Sequence, residues 1–374
     1  MSKQITPEGV IRFTWFSVAL SFCWPLSDDS SRSRVLGFRV LQISAVVNAF
    51  LMLVTSIYSF SLNLDNMTAL FRCIFQVIYT VQLILQTFIC WKKRDSLQRI
   101  IQEMMKCINE AKQYEREIFD AYIAKCNIFY GSYVVILYIA AFCFMLGTLF
   151  LSSTLPLSIE YPFPIDYTAV SVVINLHYII LFITCTAHVC MCVFGALLLW
   201  FTAARFECLA VEFEATTNIS MLIYCIKKQL CLRRYAEEVI GCFRFMVFYF
   251  LSLATFFVTG LGIILVIDTP TITRMEFVSH SSFSLMHVYM YAWPADLVQD
   301  ISENASRSAY DMKWYEQSLE MRKYILNVLV YQKPVTLSVG CLMPELTLRF
   351  FCSFMSNALS FCTGLRAMVQ DEPE

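Results

Sequence analysis

Charged residues are missing from Val40–Leu64, Cys73–Trp91, Cys126–Ile159, Tyr167–Ala204, Phe245–Ile267, Phe277–Ala295 and the shorter Phe350–Leu365. The first six runs each reach the roughly 20 residues that cross a bilayer, or fall one short, and the seventh does so with its flanking turns. The pattern predicts an all-α integral membrane protein with seven transmembrane helices. Between Lys92 and Lys125, Leu97, Ile100, Ile101, Met104, Met105 and Ile108 recur at helical spacing, so spans two and three are expected to continue as helices beyond the lipid. Tyr167–Ala204 would measure roughly 57 Å as one helix, nearly twice the ~30 Å of hydrocarbon. The fourth helix therefore has to begin or end outside the membrane. Together with Phe206–Phe213 and a helix at Trp314–Tyr331, these extensions predict a cytosolic helical platform, an anchor.

The last run differs in kind from the others. Phe350–Leu365 places Cys352, Ser353, Ser356, Asn357, Ser360 and Thr363 among Phe350, Phe351, Phe354, Leu359 and Phe361. Hydroxyls and amides at membrane depth need partners, so such a helix faces protein or water rather than lipid. Residue types alone leave both readings open, a packing helix or the wall of an aqueous path. Lys333-Pro334 and Met343-Pro344 separate it from the amphipathic run before it. Near the amino terminus, Phe13–Leu26 reads as an interfacial or re-entrant helix, because no small-residue cleavage pattern follows it. In the second outer loop, Ser152 to Asp166, Pro156, Pro162 and Pro164 forbid a regular helix and predict a folded lid.

Composition agrees with a membrane protein: 58% of the residues are apolar and 15% charged, where a soluble chain carries about a quarter charged. Placement of the basic residues sets the orientation. They crowd the amino-terminal region and the second–third, fourth–fifth and sixth–seventh connections, and on the other side only Arg72, Arg274 and Arg366 stand. The amino terminus is expected inside and the carboxyl terminus outside. Asn66-Met67-Thr68 is then an external glycosylation sequon at Asn66, and Asn218 and Asn304 head sequons on the inner side. None of the 16 cysteines lies in a predicted outer loop, so they read as small apolar residues and not as a disulfide framework. The resulting layout has a cytosolic segment at 1–39, six helices within 40–313, an anchor helix and joint at 314–343, the last helix at 344–368 and an external tail at 369–374.

Pockets between helices are mainly aromatic and apolar with a few polar groups for orientation. In the outer halves of the spans the candidates are Phe75 and Tyr79; Phe144, Gly147, Thr148 and Leu151; His177, Ile180 and Leu181; and Phe283, Met286 and His287. Each set shares a helical face, although a chain this aromatic offers such faces widely, and plain core packing is the competing reading. The 4 histidines lie in spans with no carboxylate beside them and no HxxxH spacing, which argues against a catalytic metal. No Ser–His–Asp constellation or phosphate loop is present, so no enzyme, cofactor, metal or nucleic-acid partner is expected.

The run from Leu297, LVQDISENASRSAYDMKWYEQSLEMRKYILNVLVYQKPVTLSVGCLMPELTLRFFCSFMSNALSFCTGL, resembles the carboxyl-terminal signature of insect odorant receptors. It has the step from Ala309-Tyr310 to Trp314-Tyr315, the Gln332–Pro334 element, the small-residue turn at Val339-Gly340, and Ser360 to Leu365 in a Phe-containing final helix. Leu155-Pro156 and Pro164-x-Asp166 are similar to the family as well, and Trp293-Pro294 departs from its usual pattern. The resemblance implies an odorant-gated nonselective cation channel in the plasma membrane of sensory dendrites, with four subunits around a pore lined by the last helix. It implies a pore at Asn357, Ser360, Thr363, Arg366 and Ala367, with snorkelling to headgroups as the other reading of Arg366. It also implies a subunit anchor at Tyr310, Trp314, Tyr315 and Tyr324. The partners implied are a volatile odorant, membrane lipid and the shared co-receptor in a heterotetramer, this chain being a tuning subunit because its fourth–fifth connection lacks the co-receptor's long insertion. A gustatory receptor would carry Thr-Tyr-x-x-x-x-Gln near Leu359–Leu365, which is absent, and a G-protein-coupled receptor would need the opposite topology.

Overall fold

The computed structural model describes residues 6–26, 30–150, 160–163, 167–267, 269–311, 314–316, 318–331, 333–340, 343 and 345–370; the side chains of 144, 148–150, 310, 314, 330, 331, 366 and 368–370 fall outside that description. Its α-helices are α1 (Pro7–Val18), α2 (Arg32–Leu62), α3 (Met67–Lys92), α4 (Arg94–Asn109), α5 (Gln113–Phe150), α6 (Thr168–Val189), α7 (Met191–Glu214), α8 (Ile219–Val266), α9 (Thr271–Asp311), α10 (Leu319–Tyr331) and α11 (Leu348–Gln370). Side-chain oxygens start several of them. Ser31 Oγ accepts from Arg34 N at 3.4 Å, Asn66 Oδ1 from Ala69 N at 3.2 Å, and Asn218 Oδ1 from Met221 N at 2.9 Å. Within the apolar helices, hydroxyls turn back on their own backbone: Thr80 to Gln76 O, Thr184 to Ile180 O, Thr255 to Leu251 O. That satisfies a polar group where hydrocarbon offers no partner.

Among the described residues, five helical runs are long and apolar enough to cross a bilayer: Arg32–Leu62, Met67–Lys92, Gln113–Gly147, Thr168–Glu214 and Ile219–Val266. The predicted spans Phe277–Ala295 and Phe350–Leu365 lie in α9 and α11, where Ser, His and Asn lower the apolar content. Helices overrun the uncharged stretches. α8 begins at Ile219, well before the uncharged run at Phe245, because Lys, Arg and Glu extend a helix as readily as Leu does. The expected fourth helix is two, α6 and α7, meeting at Cys190, whose carbonyl accepts from both Val193 N and Phe194 N.

The chain divides into two compact units, a smaller one of 9–98 and 127–194 and a larger one of 1–8, 99–126 and 195–374. In the smaller unit α2 packs on α3, and both meet α6. In the larger unit α8 pairs with α9, α11 lies against both, and α10 packs on α9 and α8. A Cβ at Gly260 would come 2.6 Å from the Phe277 ring, and one at Gly262 would come 3.0 Å from Cys362 Sγ, so glycine is what lets α8 approach α9 and α11 so closely.

Candidate functional site

The smaller unit has a core of Ala49 and Met52 from α2, Leu83 from α3, and Ile174, Tyr178 and Leu181 from α6, with Tyr161 packed against it. Tyr161 belongs to a non-helical segment held by α2: Glu160 N donates to Ser59 Oγ at 3.1 Å, and Asn63 Nδ2 donates to Glu160 Oε1 at 3.4 Å. Immediately before Tyr178, His177 Nδ1–H donates to Asn48 Oδ1 at 2.6 Å. The candidate residues are distributed unevenly on this scaffold. Leu181 and Phe75 are buried, Tyr79, Gly147 and His177 are half-buried, and Ile180, next to Leu181 on α6, is 45% exposed. Leu151, the greater part of the lid, and the side chains of Phe144 and Thr148 lie outside the described residues.

A second polar node sits deeper in the same unit. His188 Nδ1–H donates to Thr184 O at 2.9 Å, and its Nε2 lies 2.9 Å from Thr87 Oγ1 and 3.6 Å from Cys23 Sγ. His188 is fully buried and ties the turn after α1 to α3 and α6. Sequence reasoning singled out neither this node nor Asn48, Ser59 and Asn63. The available signal was polar residues inside an otherwise apolar run.

The remaining candidates lie in the larger unit. His287 stacks on Phe250 with ring centroids 4.7 Å apart, meets the edge of Phe283 at 4.3 Å, and donates from Nδ1 to Phe283 O at 2.8 Å. His280 stacks on Phe257 at 5.3 Å. Met286 is 38% exposed on α9. Among the described residues no three His, Cys, Asp or Glu side chains are grouped to hold a metal.

α11 presents two unlike faces. Phe351, Phe354, Ala358 and Cys362 are partly covered, and Cys362 Sγ reaches Val258 O at 3.9 Å. Ser353, Ser356, Asn357, Ser360, Thr363 and Ala367 are exposed, as is Leu359. Thr363 Oγ1 bonds Leu359 O and Ser360 O at 3.1 and 3.0 Å, while the side chain of Arg366 lies outside the described set. Of the anchor residues, Tyr315 and Tyr324 are exposed beside a buried Met321, Ile325 and Val328, and Tyr310 and Trp314 have side chains outside the description. Asn66 is exposed and caps α3.

Charged residues of the larger unit form a separate layer. Arg205 bonds Glu103 at 2.7 Å and lies over the Tyr235 ring at 4.7 Å, and Arg99 pairs with Glu238. Lys228 reaches Glu212 at 2.6 Å and Glu115 at 3.7 Å, and Glu212 also accepts from Tyr114 at 2.7 Å. Burial beneath this layer pushes the Cys107 thiol up from its ordinary pKa, with Arg205 opposing the shift. A raised pKa favours the protonated thiol.

Among the described residues, several bilayer-length apolar helices and no strand define a polytopic helical membrane protein. The family model described as 7tm Odorant receptor matches residues 66–359, and the chain belongs to that family, one of receptors rather than enzymes. The olfactory receptor OR5 from Machilis hrabei has a similar fold, with a TM-score of 0.77 at 16% identity over 95% of this chain and 97% of that one. The same receptor solved in complex with eugenol superposes with a TM-score of 0.75 at 17% identity over 96% and 98% of the two chains. No curated protein matches the chain in sequence.

Proposed function

We propose that this chain is an odorant-gated, nonselective cation-channel subunit, a tuning subunit that assembles with the shared co-receptor into a heterotetramer in the dendritic plasma membrane. The observation that carries the channel reading is the exposed face of α11, where Ser353, Ser356, Asn357, Ser360 and Thr363 lie at helical spacing on a predicted membrane helix. Thr363 is satisfied by its own backbone, but an amide such as Asn357 at that depth needs water or another subunit against it, and a pore shared by subunits supplies both. Seven spans, an internal amino terminus and an external carboxyl terminus follow from the charge distribution, and Asn66 is then the glycosylated sequon.

The odorant binds in the outer half of the bundle. The apolar core at Met52, Tyr178 and Leu181, with the His177–Asn48 pair beside it, supports a site for a small, mostly apolar volatile with one polar group. A receptor of the same fold solved with eugenol supports the same ligand class. Phe75, Tyr79, Phe144, Gly147, Thr148, Leu151 and Ile180 complete the candidate lining in the smaller unit, and Phe283, Met286 and His287 are separate candidates on α9. Burial of such a ligand contributes about 25 cal/mol per Å² of apolar area, and it opens the pore by as much as it binds the open state more tightly than the closed one. Tyr310, Trp314, Tyr315 and Tyr324 mark the intracellular contacts between subunits, and Arg366 and Ala367 stand at the outer mouth.

Recording from cells that express the chain with and without the co-receptor, against an odorant panel, tests this. Odorant-evoked cation current in the pair is expected, and its absence in every combination overturns the channel reading. In a microsomal glycosylation assay, sugar at Asn66 supports the topology, and sugar at Asn218 or Asn304 reverses it.

A further inference from the structure

The connection between α10 and α11 is not slack. Val335, Leu337, Met343 and Leu346 are buried, and the segment folds on itself through Leu346 N to Leu337 O at 2.9 Å and Val339 N to Met343 O at 2.8 Å. Gly340 supplies the turn at φ +56°, a conformation glycine adopts freely. One face of α9 holds this strap. Ser302 Oγ accepts from Val335 N at 2.9 Å, Gln299 Nε2 donates to Glu345 Oε2 at 3.4 Å, and Asp296 Oδ1 accepts from Leu348 N at 3.1 Å. Positions 296, 299 and 302 lie three residues apart, on a common side of the helix. Arg233 of α8 adds a bond to Lys333 O.

The Asp296 contact differs from the others, because Leu348 is the first residue of α11. The opening N–H groups of a helix have no partner within it. Thr347 Oγ1 takes the one from Phe350 at 3.0 Å, as an ordinary local cap does. A carboxylate on a different helix takes the one from Leu348, where the positive end of the helix dipole also attracts it.

We propose that Asp296 is a positioning residue that couples α9 to the last helix: its carboxylate grips the first turn of α11, so that a displacement of α9 is delivered to α11 directly and not through a loose loop. This rests on the reading of α11 as the pore helix. Asp300 and Glu303 share the neighbourhood of Asp296 on α9, and the competing role is an acid that attracts permeant cations.

Three variants of the full chain, co-expressed with the co-receptor for recording and purified for hydrogen exchange, separate these roles. Asp296→Ala removes acceptor and charge, Asp296→Asn removes the charge and keeps an acceptor oxygen, and Thr347→Ala removes the local cap while leaving α9 attached. Exchange at the first turn of α11 is expected to quicken about tenfold in D296A and about as much in T347A, and to stay within about threefold in D296N. The odorant concentration for half-maximal current is expected to rise about tenfold in D296A and to stay within about threefold in D296N and T347A, with the reversal potential unchanged throughout. Unchanged exchange in D296A overturns the capping contact. Equal gating shifts in D296A and T347A overturn the coupling role, and a shifted reversal potential in D296N assigns Asp296 to the ion path instead. If the unmodified chain carries no current, the channel reading fails while the exchange result still decides the contact.

Discussion

Two non-helical segments are held to helices by the same device, a serine hydroxyl that accepts a backbone N–H, yet they are held to different degrees. At Glu160, the bond to Ser59 is supplemented by Asn63 and by the packing of Tyr161, and Glu160 and Phe163 remain exposed. At Val335, the bond to Ser302 is one of a set that includes Asp296, Gln299 and Arg233, over a strap with four buried apolar side chains. A segment with few buried contacts opens locally at small cost, and one with many moves only with the element beneath it. In the first segment the described residues 160–163 are held at Glu160 and Tyr161. The second suits a connection that must carry a displacement without absorbing it.

The sharpest way to break this comparison is to remove packing from the strap. Leu346→Ala deletes a buried side chain and is expected to lower stability by about 2–4 kcal/mol, read as a fall in the thermal midpoint of the purified protein. Ser302→Ala should cost about 1–3 kcal/mol in the same assay, because Val335 N–H is left buried without an acceptor. Ser59→Ala should cost less, about 1 kcal/mol, because Glu160 is an exposed residue. Equal losses in the two serine variants would erase the distinction between the two segments.

Within the ligand region the contrast is between two neighbours on α6. Leu181→Ala, in the core beside Tyr178, is expected to raise the odorant concentration for half-maximal current by about tenfold, and Ile180→Ala, on the exposed side, by less than about threefold. The smallest effect concerns Asp300, whose carboxyl is raised above its ordinary pKa by partial burial and then by Asp296 and Glu303. A folded-state pKa above the unfolded one means that the protonated acid favours folding, and that this contribution disappears as pH rises through the folded value. Asp300→Asn should therefore be slightly stabilising above the carboxylate range and neutral below it, read from thermal midpoints across pH.

Much of the helical framework was legible in the chain because uncharged runs and helical spacing report on lipid and on local backbone geometry. The end of α10 before Pro334 was marked by proline, which removes a donor and ends a helix. The break at Cys190 was not legible, because neither Gly nor Pro stands at that position to mark it. Nor were His177–Asn48, His188–Thr87 and Leu348–Asp296, each of which joins residues far apart in sequence whose types are unremarkable alone. The polar face of α11 could be read as a stripe of small residues, but its exposure depends on which side α8 and α9 cover.

That face carries the central claim, and Asn357 lies in its middle. The direct measurement is the reversal potential of the odorant-evoked current for Asn357→Asp under a gradient of mono- and divalent cations, in cells that also express the co-receptor. A shift toward the divalent equilibrium potential with the odorant sensitivity preserved is expected, because a carboxylate in the conducting path attracts cations. An unchanged reversal potential, with Ser360→Asp equally silent, would mean that this side of α11 packs against protein and that the ions pass elsewhere.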